Sequence, residues 1–336
     1  KGRSNAPVYL YIEGNASLID LHGLEGISKI KVYLKIQYNW HLRNINALVN
    51  IDSVGRDIII DSNPALTSLS GLNPSDSISG NLEITNNTCL RQLEGLHWIS
   101  KIGHNLWIMS NDSLSRLSGL ENLVSTGNSC IIIENAKLTD LEGLENLKSV
   151  GFGLLLGGEN LENINALHSV TSIGSSLYIS GSPRLTNLSG IDNILPESID
   201  GLYIHDNINL NSCDVKSICN YLKKPNGEVE IYNNSTGCNT QEEVIISCLD
   251  NSTPDLKYDG LIKIYPNPAD NFLLVKSSYH INIEKIEVVD MMGRVIYYSD
   301  KGNSVIDVSD WEEGFYFVRL YLKQGEPFCK FIIIHR

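Results

Sequence analysis

Basic residues are scarce in this chain. Lys and Arg number 26 against 39 Asp and Glu, a formal net charge of -13 over 336 residues. A surface that acidic repels phosphate backbones and anionic headgroups, which argues against nucleic acid or an anionic membrane surface as partner. No apolar run approaches the roughly 18 residues that would mark a membrane-spanning helix. Nothing at the amino end has the pattern of a signal peptide, and a first residue of Lys1 instead of Met predicts a processed or trimmed start. Catalytic signatures are missing as well: there is no H-E-x-x-H, no G-x-S-x-G, no phosphate loop and no dinucleotide fingerprint. The eight histidines are scattered without metal-ligand spacing and read as solvated surface groups. The expectation is a protein that is not an enzyme and uses neither cofactor nor metal.

What is present is enough apolar material for a core: 42% hydrophobic against 19% charged, over a length that suits one or two domains. The charge is unevenly placed. Residues 262–336 hold 9 basic and 10 acidic side chains, leaving 17 and 29 for residues 1–261. The acidity therefore belongs to the amino-terminal part, at -12.

That part is a repeat. One leucine position recurs as Leu18, Leu42, Leu66, Leu90, Leu114, Leu138, Leu161, Leu185 and Leu210, at spacings of 23 to 25 and mostly 24. Three residues later comes Leu or Ile, and two further on a small residue: Gly23, Ala47, Gly71, Gly95, Gly119, Gly143, Ala166, Gly190. Columns in phase over eight turns define a solenoid, whose coils bury their apolar faces only by stacking. The L-x-I portion of each coil, as in Leu82-Glu83-Ile84, alternates with the period of a short strand. Just past it stands an asparagine (Asn15, Asn39, Asn63, Asn87, Asn111, Asn135, Asn207), placed to bond backbone groups of neighbouring coils at a corner. Gly158 and Ser182 replace it in two coils, which are expected to bend differently. Asp140, Glu142 and Glu145 fall on coil corners and read as solvated.

Ser77-Ile-Ser-Gly-Asn-Leu-Glu-Ile84 and Ser172-Ile-Gly-Ser-Ser-Leu-Tyr-Ile179 resemble coils of receptor L domains, within the wider leucine-rich-repeat class. The resemblance covers roughly residues 8–211 and implies a mainly β fold, a right-handed β-solenoid of about 24-residue coils. It brings no catalytic residues with it.

A solenoid needs an end cap, and residues 212–250 supply four of the seven cysteines: Cys213, Cys219, Cys238 and Cys248. Two disulfides are expected, in an oxidising compartment. Of the three possible pairings, Cys213–Cys238 with Cys219–Cys248 is favoured; a zinc site is the alternative, disfavoured by the lack of a C-x-x-C pair. Asp214–Lys224 reads as a helix, Glu228–Tyr232 as a final strand, and Thr240-Gln-Glu-Glu243 as a capping box opening a second helix. Cys89, Cys130 and Cys329 read as free thiols, Cys130 at an inward strand position.

Residues 251–261 read as a polar linker, after which the 24-residue period stops. Residues 262–336 show short alternating strands at Leu273–Lys276, Ile283–Val289, Val295–Tyr298, Phe315–Leu322 and Phe328–Ile334, a pattern that suits a small β-sandwich. Asp290-Met-Met-Gly293 fits a hairpin turn with Gly293 at positive φ. Tyr265-Pro-Asn-Pro-Ala269, Val289-Asp-Met-Met-Gly-Arg294 and Gly314-Phe-Tyr-Phe-Val318 stand in the order found in type IX secretion sorting domains, which these residues resemble. The resemblance implies export by that machinery across the outer membrane of a Gram-negative bacterium, removal of the domain and attachment of the remainder to the cell surface. Pro266, Asn267, Pro268, Asp290, Gly293, Arg294, Gly314 and Tyr316 would then be sorting determinants.

The middle residue of each L-x-I strand should point outward. Down the stack these are Tyr11, Lys35, Ile59, Glu83, Trp107, Ile132 or its neighbour, Leu155, Tyr178 and Tyr203, flanked by Tyr9, Met109 and His205. Outward positions are usually polar, so this column is a candidate binding face for a protein or glycan. The expected product is a monomeric surface-anchored binding or adhesion protein. The alternatives are a structural surface component or the non-catalytic part of a larger secreted enzyme.

Overall fold

The computed structural model describes residues 7–73, 77–250, 262–277, 282–300, 305–323 and 328–334. The expected linker at 251–261, with His280 and His335, lies outside them. The chain divides into two compact units, Lys1–Val244 and Ile245–Arg336. Among the described residues no helix is long and apolar enough to cross a membrane.

The first unit is a β-solenoid. Ten strands, from Tyr9–Glu13 to Val229–Tyr232, form one sheet in chain order. All neighbours are parallel and in register, so that Leu34, Ile58, Leu82, Leu106, Cys130, Leu154, Leu177 and Leu202 stack as one inward column. Each is fully buried. On another side of six coils, two-residue strands pair in parallel: Lys29–Ile30 with Ser53–Val54, and Lys101–Ile102, Ser125–Thr126, Ser149–Val150 and Ser172–Ile173 in one row.

The asparagine column is a hydrogen-bonded ladder. Asn111 is typical. Its Nδ2 donates to the Ile84 and Met109 carbonyls at 2.9 and 3.1 Å and to Asn135 Oδ1 at 3.2 Å, and its backbone N–H donates to that same Oδ1. These bonds satisfy the backbone groups that the corner frees from the strand ladder. The residue before each rung is left-handed even where it is not glycine: Tyr38, Ser62, Asn86, Ser110, Glu134, Asp206 and Asn233 have φ between 52° and 58°. The ladder runs beyond Asn207 to Asn234 in the cap, which accepts from Asn207 Nδ2 at 3.1 Å.

Of the two exceptional coils, Ser182 keeps the ladder's form. Its hydroxyl accepts from the Gly158 N–H at 3.2 Å, its own N–H donates to Asn207 Oδ1 at 3.0 Å, and the left-handed corner is kept at Gly181, φ 64°. The coil of Gly158 is the true exception. It is the coil one residue short, no left-handed residue precedes Gly158, and Asn135 meets no side-chain rung there.

The small-residue column has two forms. Gly23, Gly71, Gly95, Gly119 and Gly143 have φ between 100° and 114°, which an L side chain rarely adopts. Where Ala47 or Ala166 stands instead, the chain makes a 3-10 turn, Asn46–Leu48 or Asn165–Ser169. The acidic corner residues have structural duties: Asp140 Oδ1 accepts from the Glu142 N–H at 2.9 Å, and the Glu145 carboxylate accepts from the Gly143 N–H.

At the end of the stack, helix α1 (Lys216–Lys223) buries Ile218, Tyr221 and Leu222. Cys213 is bonded to Cys238, and Cys219 and Cys248 are likewise disulfide-bonded. Helix α2 (Gln241–Asp250) opens on the expected cap, with Thr240 Oγ1 accepting from the Glu243 N–H at 3.2 Å. The return half of the box is displaced: Glu243 Oε2 accepts from the Gly237 and Asn239 N–H groups, not from Thr240.

The second unit has two antiparallel sheets. One holds Ile262–Tyr265, Phe272–Ser277 and Val305–Asp307; the other holds Val295–Ser299, Ile283–Asp290, Gly314–Leu322 and Phe328–Ile334. Strands of both sheets supply a single cluster that includes Ile264, Leu273, Val288, Ile306, Val318 and Ile332. Ile262–Tyr265 and Val305–Asp307 were not among the strands expected from alternation; both are short, and the second carries only three residues.

Candidate functional site

The outward column of the solenoid sheet is continuous in the structure. Tyr11, Lys35, Ile59, Glu83, Trp107, Ile131, Leu155, Tyr178, Tyr203 and Glu230 are neighbours in register. The outward residue of the sixth strand is Ile131. Ile132 points inward and is 1% exposed, because Cys130 opens that strand on its buried side.

The candidate residues gather in three groups. At one end Tyr9 stacks on Tyr33 at 5.4 Å and on Tyr11 at 5.9 Å, and the Arg56 guanidinium lies over Tyr33 at 5.7 Å. In the middle, Ile59, Trp107 and Leu155 lie in the outward column, with Met109 beside it on the Trp107 strand, all half-buried. The indole N–H of Trp107 is buried without a hydrogen-bond partner among the described residues. Beside Trp107, Glu83 is held above the usual carboxylate range, first by burial and next by the charge of Asp57.

At the far end Tyr178 and Tyr203 stack at 5.4 Å, and His205 packs edge-on to Tyr178 at 5.0 Å. His205 is not a solvated group. It is 7% exposed, stacked face to face with Tyr232 at 4.7 Å, with Nδ1 at 2.8 Å from Asp206 Oδ2 and Nε2 at 2.6 Å from the Tyr178 hydroxyl. Its two aromatic neighbours, Tyr178 and Tyr232, lie 27 residues away on either side in the chain, so only the strand register brings them together. The Tyr203 hydroxyl donates to Glu228 Oε2 at 3.1 Å, which raises its pKa. Tyr33, Tyr232 and Glu228 were not among the candidate site residues; Tyr232 ends the capping strand and Glu228 immediately precedes it, where the 24-residue period has ended.

In the second unit the expected sorting residues are structural first. The Asp290 carboxylate closes its hairpin: Oδ1 accepts from the Met292 and Arg294 N–H groups at 2.9 Å, and Oδ2 accepts from Arg294 Nε at 2.6 Å. Burial alone would raise the Asp290 pKa, but these bonds and the Arg294 charge outweigh it and hold the pKa below the usual range. Gly293 takes the positive φ expected of it, 80°. Asn267, between Pro266 and Pro268, accepts from the Ile333 N–H at 2.8 Å, tying that loop to the last strand. Gly314 starts the nine-residue strand that carries Tyr316, whose ring packs on Trp311 at 5.3 Å and whose hydroxyl donates to the Glu312 carbonyl.

Residues 263–334 match the family described as the secretion system C-terminal sorting domain. No curated protein shows a significant match to the chain. The matched segment begins within the first strand of the second unit and ends with its last, and it is the mark of a protein secreted by the type IX system.

Proposed function

We propose that the solenoid is the working part of this secreted protein, and that it binds a protein or glycan through the outward face of its parallel sheet. The observation that carries this reading is the outward column itself. Seven of its nine positions from Tyr11 to Tyr203 are aromatic or aliphatic, on a chain of formal charge -13. A stacked sheet needs no such residues on its solvent side, whereas interfaces are anchored by Tyr and Trp.

The coil pattern supports assignment to the leucine-rich-repeat class, L-domain-like and right-handed. The single core shared by two sheets supports a β-sandwich for the second unit. On this reading the sorting unit is removed after export and the solenoid is held at the cell surface. The test is a glycan and host-protein array probed with the full chain and with the Trp107→Ala/Tyr178→Ala variant. Ligands that the variant loses, at an unchanged melting temperature, support the strand face; ligands that both proteins bind equally overturn it.

A further inference from the structure

Twice this chain seats one of its own cations on tyrosine beside a carboxylate. Lys285 Nζ lies 4.5 Å from the Tyr321 ring centre and 5.1 Å from that of Tyr298, and pairs with Glu287 Oε1 at 2.7 Å. The Tyr321 hydroxyl donates to that same carboxylate at 2.8 Å. Arg56 does the same over Tyr33, with its NH1 donating to the tyrosine hydroxyl at 3.1 Å and its Nε at 3.8 Å from Asp57.

The same parts recur at the far end of the solenoid sheet without a cation. Tyr203 donates to Glu228 and has Glu230 as its register neighbour on the capping strand. Tyr232 is 42% exposed, one strand position beyond Ile231, and feels the charges of Asp206 and Glu230. The carboxylates whose charge acts on Tyr203 are Glu228 and Glu230. Among the described residues no lysine or arginine pairs with Glu228, Glu230 or Asp206; Asp206 is engaged by Asn233 and His205. The rings are held in place from one side, since His205 stacks on Tyr232 and bonds both Asp206 and Tyr178, and Tyr178 in turn stacks on Tyr203. Tyrosine rings fixed on one face beside carboxylates that carry no cation attract an ammonium or guanidinium group through the ring quadrupole and through direct charge pairing.

We propose that Tyr203, Tyr232, Glu228, Glu230 and Asp206 form a receptor for a lysine or arginine side chain of a partner polypeptide. The assignment rests on the reading that the strand face is where the protein binds. Charge complementarity selects the occupant: residues 1–261 carry -12, and a neutral ligand would cover Glu230 without pairing it.

The test is fluorescence anisotropy on the full chain with a labelled Gly-Ser-Lys repeat peptide and its acetyl-lysine counterpart, at low and physiological salt. The lysine peptide is expected to bind and the acetylated one not. Glu230→Gln and Tyr232→Ala should each weaken binding about fivefold, the size expected of one exposed cation contact. Glu94→Gln/Glu159→Gln, which removes charge several coils away, should leave binding unchanged. The proposal is overturned if the lysine peptide fails to bind, or if the remote variant weakens binding as much as Glu230→Gln. Glu230→Gln keeps shape and strand, so a folding defect in Tyr232→Ala does not decide the matter. Array ligands that depend on Trp107 would keep the wider strand-face reading intact even if the lysine peptide fails.

Discussion

Asn63 donates its side-chain amide to Asn87 Oδ1 across 3.2 Å, and its backbone N–H donates to that same oxygen at 3.1 Å. One buried oxygen thus serves two donors of the preceding coil, while Asn87 itself donates to the Ile60 and Thr85 carbonyls. Asn87→Ala removes these bonds at a residue of zero exposure and leaves the Asn63 backbone N–H without its acceptor, while Asn63 Nδ2 and the Thr85 carbonyl keep other partners. The expected cost is about 1–3 kcal/mol, set by the one buried N–H left unpaired. Chemical denaturation checks it; a loss below roughly 0.5 kcal/mol, the scale of an ordinary surface change, would mean the ladder is ornamental.

Gly158→Asn should do the opposite. A Cβ at Gly158 would approach nothing closer than 4.0 Å, and its φ is not in the left-handed range. An asparagine there would give Asn135 the acceptor it lacks and would shrink the unfolded ensemble. The expected gain is about 1 kcal/mol, read as a rise of a few degrees in Tm. A fall in Tm would show that the short coil has closed the space the side chain needs.

Glu83 sets a pH dependence. Its pKa is raised in the folded state, chiefly by burial, so the ionised form is disfavoured by folding. The penalty is fully present above the folded pKa and disappears as pH falls below the unfolded value, which is near the model-peptide range. Glu83→Gln should therefore raise Tm by about 1–2 °C at neutral pH, since the group is half exposed, and by nothing near pH 3.5. Equal gains at both pH values would refute the assignment.

The three free cysteines should label unequally. Cys130 is buried, and burial pushes its thiol up to about 12, leaving almost no thiolate at neutral pH. Cys89 and Cys329 are exposed. Native protein treated with iodoacetamide at pH 8 should take up label at Cys89 and Cys329 alone, located by peptide mass mapping. Rapid label at Cys130 would mean that the sixth strand opens.

The repeat and its asparagine corner were legible because each column states one backbone requirement over and over. What the columns could not show is what depends on the next coil. The left-handed conformation of Tyr38, Ser62 and Glu134 is imposed by the rung that follows, and none of these side chains advertises it. Asn234 continues the ladder, but 27 residues after Asn207, so a search at 24 misses it. His205 looks isolated in the chain because both of its aromatic neighbours come from other strands. In the second unit the hairpin at Asp290–Arg294 announced itself through Gly293, whereas Val305–Asp307 is too short to show alternation.

The strictly sequential order of the ten strands has a mechanical consequence. Each inner coil is bonded only to the one before and the one after, so tension applied across the stack meets the bonds of a single coil boundary at a time. A coil of 24 residues that lets go releases up to about 80 Å of slack at the length of extended chain. Under load such a stack pays out in steps, like line from a reel, and each step leaves the remaining coils wound.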